Sequence, residues 1–507
     1  MGEQNVNKLN NKEEMQLFVR HLLNDVRALE TMLRDDWFET DIMRIGAEQE
    51  MFMVDTTYYK PALIAVEVLK EMKEYEWVGT ELAKFNLETN LTPREFTGSC
   101  FSDMEKENND QLAIIRKFLE NYDAKIILTG ILPTLNKFDL KLDNLTPKDR
   151  YYALMEAFND MLMGSAYELR LQGIDELLVK HDSPLLEACN TSFQVHMQTT
   201  PAKFAKHYNI AQSLSGPIIA LAANSPIVFG RRLWHESRIA LFQQALDIRT
   251  STEHMRDRSP RVSFGKGWLN NSILEIYKED ISRFRVIMTG DKYDDSVDLV
   301  AKGKVPKLQA LQIHNSTVYR WNRPCYGISD NGKPHLRIEN RVIPSGPTVL
   351  DEVANAAFWL GAMTGMDDQY KDITKHISWE DVRDNFGKAA QFGIDTKFTW
   401  LKDKKITPAE LALTELIPLA EHGLKLKGVN DADITRYMDV IRGRADKLMT
   451  GARWQLRAFT SLIKHVTRDE AMSVLTQSII KNQEQEIPIH KWKAPKIKDL
   501  EEYRPRT

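Results

Sequence analysis

Cysteine is scarce in this 507-residue chain: Cys100, Cys189 and Cys325 are the whole complement, odd in number and widely spaced. That supports neither a disulfide framework nor a thiolate metal site, and it predicts reduced, buried thiols. A long apolar run is also missing. The longest, residues 217–229, is interrupted by Asn224, Ser225 and Pro226 and falls short of the ~20 residues that span a bilayer, so no transmembrane helix is expected. Excess positive charge is absent as well. Lys and Arg total 68 against 72 Asp and Glu, a net charge of -4, which offers no bulk field for nucleic acid or an anionic membrane and leaves any anionic ligand to local arginines. The opening MGEQNVNKLNNKEEM has no cationic stretch leading into an apolar one, and Val6 stands where myristoylation needs Ser or Thr. A cytoplasmic protein is expected.

The common nucleotide and hydrolase signatures are missing too. There is no G-x-x-x-x-G-K-[ST], no G-x-G-x-x-G after a strand, no G-x-S-x-G and no H-E-x-x-H. P-loop, Rossmann, serine-hydrolase and zincin readings therefore lose their support, and a nucleotide would need another fold. No repeat, low-complexity tract or Gly/Ser/Pro-rich linker interrupts the chain.

What is present is an ordinary globular balance, 42% hydrophobic and 28% charged, which excludes the low-hydrophobicity signature of disorder. Residues 12–35 place Phe18, Leu22, Leu23, Val26, Leu29 and Leu33 at three- and four-residue spacings, the pattern of an amphipathic helix. Residues 41–345 alternate short strand-like segments with helical stretches such as 149–171, an α+β pattern. After Pro347 the sequence reads as successive helices, one opened by the capping-box pattern Thr467-Arg468-Asp469-Glu470. The simplest organisation is a catalytic body over residues 1–365 with a helical region, 366–507, packed on it.

The informative feature is an alternation that occurs four times, since residues two apart on a strand share a face. In Arg44 to Asp55, Glu48 and Glu50 align with Phe52 and Val54; in Phe85 to Leu91, Asn86, Glu88 and Asn90 align. In Asn190 to Gln198, Ser192, Gln194, His196 and Gln198 share one side; in Pro334 to Val342, His335, Arg337, Glu339 and Arg341 do. Each segment alone also fits a bland reading: an acidic edge strand, a half-exposed strand, a structural histidine, a surface salt-bridge ladder. If the four belong to one sheet, however, they gather Glu48, Glu50, Glu88, Glu339 and His196 beside Arg337 and Arg341. Four carboxylates packed together repel without cations. Their oxygens suit Mg²⁺ or Mn²⁺, and the arginines suit a polyphosphate bound through the metal.

These segments resemble the glutamate–cysteine ligase family, carboxylate-amine ligases of the glutamine synthetase-like superfamily. The likeness rests on Gly46-Ala47-Glu48-Gln49-Glu50, on Asn190 to Gln198, on Leu221-Ala222-Ala223-Asn224-Ser225-Pro226 followed by Arg231, Arg232 and Arg238, and on Arg337-Ile338-Glu339-Asn340-Arg341. It covers about residues 40–365 and implies a curved antiparallel sheet forming an active-site funnel, flanked by helices. It further implies Glu48, Glu50, Glu88, His196 and Glu339 as metal ligands, and Arg341 and Arg337 as catalytic contacts to a transferred phosphoryl group. Asn90, Gln194 and Arg238 then become candidate ATP or substrate contacts. Arg320 and Arg323 read either as holders of a substrate carboxylate or triphosphate, or as charged loop ends.

The resemblance implies ATP-dependent joining of a carboxylate, glutamate, to the amine of cysteine or another amino acid, through an acyl phosphate. ATP and Mg²⁺ are the expected cofactors, small amino acids the partners, and a homodimer the commonest assembly for a soluble enzyme. Phosphoryl transfer to a guanidino substrate on the same fold, or a non-catalytic nucleotide-binding regulatory protein, are the alternatives. Ser263-Phe264-Gly265-Lys266-Gly267-Trp268 reads either as a mobile lid or as a plain surface turn.

Overall fold

The computed structural model describes residues 6–8, 12–162, 167–181, 184–247, 260–290 and 292–495. Its centre is one antiparallel sheet of eight strands: β1 (Arg44–Asp55), β2 (Val78–Thr80), β3 (Asn86–Asn90), β4 (Arg94–Glu95), β5 (Ala124–Ile127), β6 (Phe193–Thr199), β7 (Asn322–Ile328) and β8 (Pro334–Asn340). The order is β7-β8-β6-β1-β3-β2, with β4 and β5 also paired to β1. β1 is long enough to change partners along both edges. One edge pairs residues 45–49 with β6 and then 52–55 with β5; the other pairs 44–45 with β4 and then 48–52 with β3. A strand that hands its hydrogen bonds from one neighbour to the next accumulates twist, and the sheet curls into a half-barrel.

The two faces follow from the alternation. Ala47, Met51 and Met53 of β1, Val195 and Met197 of β6 and Leu336 and Ile338 of β8 are buried on one side. Helices Cys100–Leu119, Phe204–Ala222 and Val349–Gln369 fill out the molecule around them. The last two are buried nearly all round, which is why their sequences carry no amphipathic stripe. The opposite face keeps the ionisable groups.

The helix at Lys12–Arg34 forms where the apolar spacing predicts it. Its buried Asp25 accepts hydrogen bonds from the Ser296 hydroxyl and from the Leu311 N–H at 3.0 Å, so it fixes the helix Gln309–Asn315 that walls the polar face. The capping box at Thr467 is formed, opening the helix Arg468–Glu484. The stretch 149–171 departs from its helical reading. Its helix spans Asp149–Leu162, whereas Tyr167–Gln172 is a strand paired with Glu176–His181. Leu169 and Leu171 fit either period, and pairing with the next strand decides.

The C-terminal helices share the core of the sheet. One apolar cluster runs from Phe18 to Trp492, and the helix Val349–Gln369 passes through position 365 without a break. Arg444, wholly buried, donates to Asp351 Oδ1 at 2.9 Å, to Asn355 Oδ1 at 2.5 Å and to the Leu221 carbonyl at 3.4 Å, tying three helices together. Ser345, just before the loop into that helix, donates to the Glu50 carbonyl at 2.9 Å. The helical layer thus supports the strand that carries the acidic residues. Among the described residues no helix is long and apolar enough to cross a membrane, and all three cysteines are free and buried.

Candidate active site

The strand registers bring the four alternating segments onto one surface. Glu48 lies opposite Gln194 and Asn90, Glu50 opposite Glu88, and His196 opposite both Gly46 and Glu339. Directly paired residues point the same way, so the polar face anticipated for four separate strands is a single one. It floors a cavity of about 220 Å³ lined by Glu48, Glu50, Glu88, Glu339, Gln194 and the arginines 323, 337 and 341. A smaller cavity of about 60 Å³ adjoins it, sharing Glu50, Gln194 and Arg341.

The carboxylates fall into two electrostatic groups. Glu339 is flanked by Arg341, whose Nε donates to Oε1, and by Arg323, 3.4 Å from Oε2. Although burial opposes ionisation, the two guanidinium groups hold its carboxyl well below the usual range. Glu48 lies 3.3 Å from His196 Nε2 and is likewise lowered, the imidazole outweighing burial. The His196 Nδ1 in turn accepts from Arg337 Nε at 3.2 Å. Arg337 therefore orients the imidazole and lines the cavity at once.

Glu50, Glu81 and Glu88 form the other group. One carboxylate oxygen of each lies within 4.8 Å of the others. Burial raises all three; Glu88 is pushed up to about 7, with Glu48 adding to the effect, and Glu81 is driven well above its ordinary value, with Glu88 and Glu50 reinforcing burial. Glu50 is steadied by the Ser192 N–H at 2.7 Å and hydroxyl at 3.0 Å. Three buried carboxyls that cannot ionise together without a counter-charge are a fitting donor set for a hard divalent cation such as Mg²⁺ or Mn²⁺.

Glu81 escaped the sequence reading. It sits one residue beyond β2, in the turn that places it against Glu88. Its only sequence signal is an acidic residue following a short β-capable run. Glu187, on the turn Pro184–Cys189, also lines both cavities and was not anticipated. Cys325 completes the wall, its Sγ 3.2 Å from Glu339 Oε2.

Not all the anticipated residues meet at the cavities. Arg320 is not brought to either cavity: its guanidinium binds Asp280 at 2.5 Å and Glu279 at 3.0 Å. The reason is parity. Tyr319, Trp321, Arg323 and Cys325 face the cavities, so Arg320 must point away. Asn90 shares the polar face and donates to Glu88 Oε1 at 3.3 Å. Arg238 reaches the smaller cavity with three of its five N–H donors engaged, by Glu236 Oε1 at 3.0 Å and by the carbonyls of Arg341 and Val342 at 3.1 and 2.6 Å. It props the backbone that carries Arg341. The segment around Gly265 packs away from the cavities: Phe264 stacks on Trp379 and Phe386, and its carbonyl accepts from Gln212. It forms no lid over them.

Residues 44–478 match the model of glutamate-cysteine ligase family 2. The match runs through the helical region as well as the sheet. No curated protein sequence matches the chain. Among solved structures, glutamate–cysteine ligase from Francisella tularensis in complex with AMP aligns over 92% of each chain, with a TM-score of 0.53 and 12% identity. A bifunctional glutathione synthetase from Pasteurella multocida aligns over 91% of this chain and 54% of its own, with a TM-score of 0.43 and 11% identity. At such identities the first likeness is one of fold, that of a curled antiparallel sheet among helices.

Proposed function

Since the chain belongs to glutamate-cysteine ligase family 2, an ATP-dependent carbon–nitrogen ligase family, we propose that it joins a carboxylate of glutamate to the amine of cysteine or another amino acid through an acyl phosphate. The observation that carries this reading is the pairing, in one cavity, of the Glu50–Glu81–Glu88 cluster with Arg323, Arg337 and Arg341. Carboxylates alone would suit many cation sites. Carboxylates facing guanidinium groups suit a metal and phosphate oxygens together.

A carboxylate is a poor electrophile, because its leaving group would be oxide. In the proposed reaction the substrate carboxylate oxygen attacks the γ-phosphorus of ATP, the bond to the β-phosphate oxygen breaks, and ADP departs with the electron pair. Arg341 stabilises the charge on the transferring phosphoryl group, and Glu339 holds that guanidinium in place. Glu50, Glu81 and Glu88 would hold the divalent cation, whose chemistry there would be to neutralise charge on the phosphate oxygens. The acyl phosphate would have to be shielded from water until the amine arrives, and the Gln309–Asn315 helix lines one side of the cavity.

The test is ADP release with ATP and Mg²⁺ over a matrix of carboxylates and amines, with mass spectrometry of the products and Glu48→Gln as control. ADP release that requires both substrates and yields an amide supports the ligase reading. A phosphoguanidine product, or tight ATP binding with no turnover, replaces it with phosphoryl transfer or with a regulatory role.

A further inference from the structure

Joining an ammonium-bearing substrate to an acyl phosphate needs a group to take a proton from that ammonium, and the metal-binding carboxylates cannot serve while they hold cations. Among the described residues, six carboxylates line the larger cavity: Glu48, Glu50, Glu81, Glu88, Glu187 and Glu339. Five are engaged. Glu48 is paired with His196, Glu339 with Arg323 and Arg341, and Glu50, Glu81 and Glu88 with one another as a cation-binding cluster. Glu187 lies outside that cluster, and its buried Oε2 has no hydrogen-bond partner.

Its position is built rather than incidental. In the turn Pro184–Cys189, Leu185, Leu186, Ala188 and Cys189 are all buried. The Asn190 N–H and side-chain amide both donate to the Glu187 carbonyl, at 3.0 and 3.1 Å. The apolar neighbours anchor the turn and leave Glu187 as the polar side chain among residues 185–189, set where the two cavities meet. In the smaller cavity Asn190 Oδ1 and Gln194 Oε1 are also acceptors without partners. Asn86 lines the same space with its Oδ1 and Nδ2 both unpartnered, so four acceptor oxygens and one donor surround about 60 Å³, a predominance of acceptors that matches a group bringing several N–H donors.

We propose that Glu187 is the catalytic base of the second half-reaction, accepting a proton from the ammonium of the amine substrate, with Asn190 and Gln194 orienting the remaining N–H groups. This rests on the ligase reading above. The ammonium nitrogen gives one proton to Glu187 Oε2 and gains a free electron pair. That pair attacks the acyl carbon, the C–O bond to phosphate breaks, and phosphate leaves with the bonding electrons. The nitrogen's second proton passes to the departing phosphate, giving amide and hydrogen phosphate, and Glu187 returns its proton to water.

The charged and titratable described groups that act on Glu187 are Arg341, Glu50, Arg150 and Tyr319. Burial, opposed by the two arginines and reinforced by Glu50, places its carboxyl at about 7, near the value at which a base is both ionised and able to hold a proton.

The experiment compares two nucleophiles on wild type and Glu187→Gln. Hydroxylamine is unprotonated at neutral pH and traps an acyl phosphate as hydroxamate without a base, whereas an amino-acid substrate needs one. Glu187→Gln is expected to lower amide formation at pH 7 by about 10²–10⁴-fold, with recovery as pH rises toward the amine's own pKa, while hydroxamate formation stays within about threefold of wild type. Loss of both products to the same degree, or of neither, overturns the assignment. A measurement on wild type alone guards against a variant that fails to fold: amide formation should carry an ascending limb near pH 7 that hydroxamate formation lacks, and coincident profiles also overturn it. If wild type forms neither amide nor hydroxamate, the ligase reading itself falls and the assignment with it.

Discussion

Replacing Arg444 by alanine tests whether the helical region and the sheet are one cooperative body. The guanidinium is 1% exposed and its partner Asp351 is 0% exposed. The substitution strands Asp351 Oδ1, together with the Asn355 Oδ1 that Arg444 also serves, in an interior closed to water. Removing one member of a buried pair costs about 3–5 kcal/mol, because the remaining charge keeps its desolvation penalty without its partner. Unfolding entropy near 2.1 cal/mol/K per residue gives about 1.1 kcal/mol/K for 507 residues. The expected fall in Tm is then about 3–5 °C. Lys125→Ala supplies the contrast. Lys125 bridges the same two parts of the chain to Glu484 at 2.7 Å, but both side chains are about two-fifths exposed, and such a pair is worth less than about 1 kcal/mol. Calorimetry and far-ultraviolet circular dichroism should report one coincident transition for all three proteins. The reasoning is refuted if Arg444→Ala melts no lower than Lys125→Ala, or if the sheet and the helical region melt separately.

Two further outcomes are expected. Glu81→Gln should weaken Mg²⁺ affinity, read by the Mg²⁺ dependence of ATP turnover, by about tenfold or more, because it removes one of three oxygens grouped within 4.8 Å; an unchanged Mg²⁺ requirement would remove Glu81 from the site. Glu352, buried beside Ser345, has its carboxyl pushed up to about 8 by burial. The folded state therefore holds a proton that the unfolded chain releases above about 4.5, so Glu352's own contribution to stability is full below that value and is lost as pH rises toward 8. Glu352→Gln should flatten that slope in denaturant titrations at pH 5 and 8, and an unaltered slope would show that Glu352 is not its source.

The polar floor of the site was readable because its ionisable residues stand two apart on strands, a local pattern that survives without knowing which strands are neighbours. Glu48 with Glu50, and Arg337 with Glu339 and Arg341, announce a face by spacing alone. Pairing was what the sequence left open, and the register supplies it by setting His196 against Glu339 and Glu50 against Glu88. Tyr167–Gln172 shows the limit of local pattern: its partner is the next strand, and without that ladder its leucines continue the preceding helix equally well.

The residues that sequence reasoning missed, Glu81 and Glu187, share a physical cause. Each is presented by a turn, where the side-chain direction depends on backbone dihedrals and on neighbouring anchors rather than on a period of two. Arg320 is the converse, a plausible arginine in a plausible segment, but one position out of phase with Tyr319, Trp321 and Arg323. Phase also explains what it does instead. Pointing away from the cavities, it is held by the buried Asp280 with Glu279 beside it, so the arginines of this stretch divide between Arg323 beside Glu339 and Arg320 in the interior. A carboxylate on the cavity floor thus meets guanidinium on two sides, Arg323 from β7 and Arg341 beyond β8. That double contact holds Glu339 ionised beside carboxyls that burial drives toward protonation. The division sets a net positive Arg323–Glu339–Arg341 end of the cavity against the Glu50–Glu81–Glu88 cluster, whose carboxyls burial drives toward protonation.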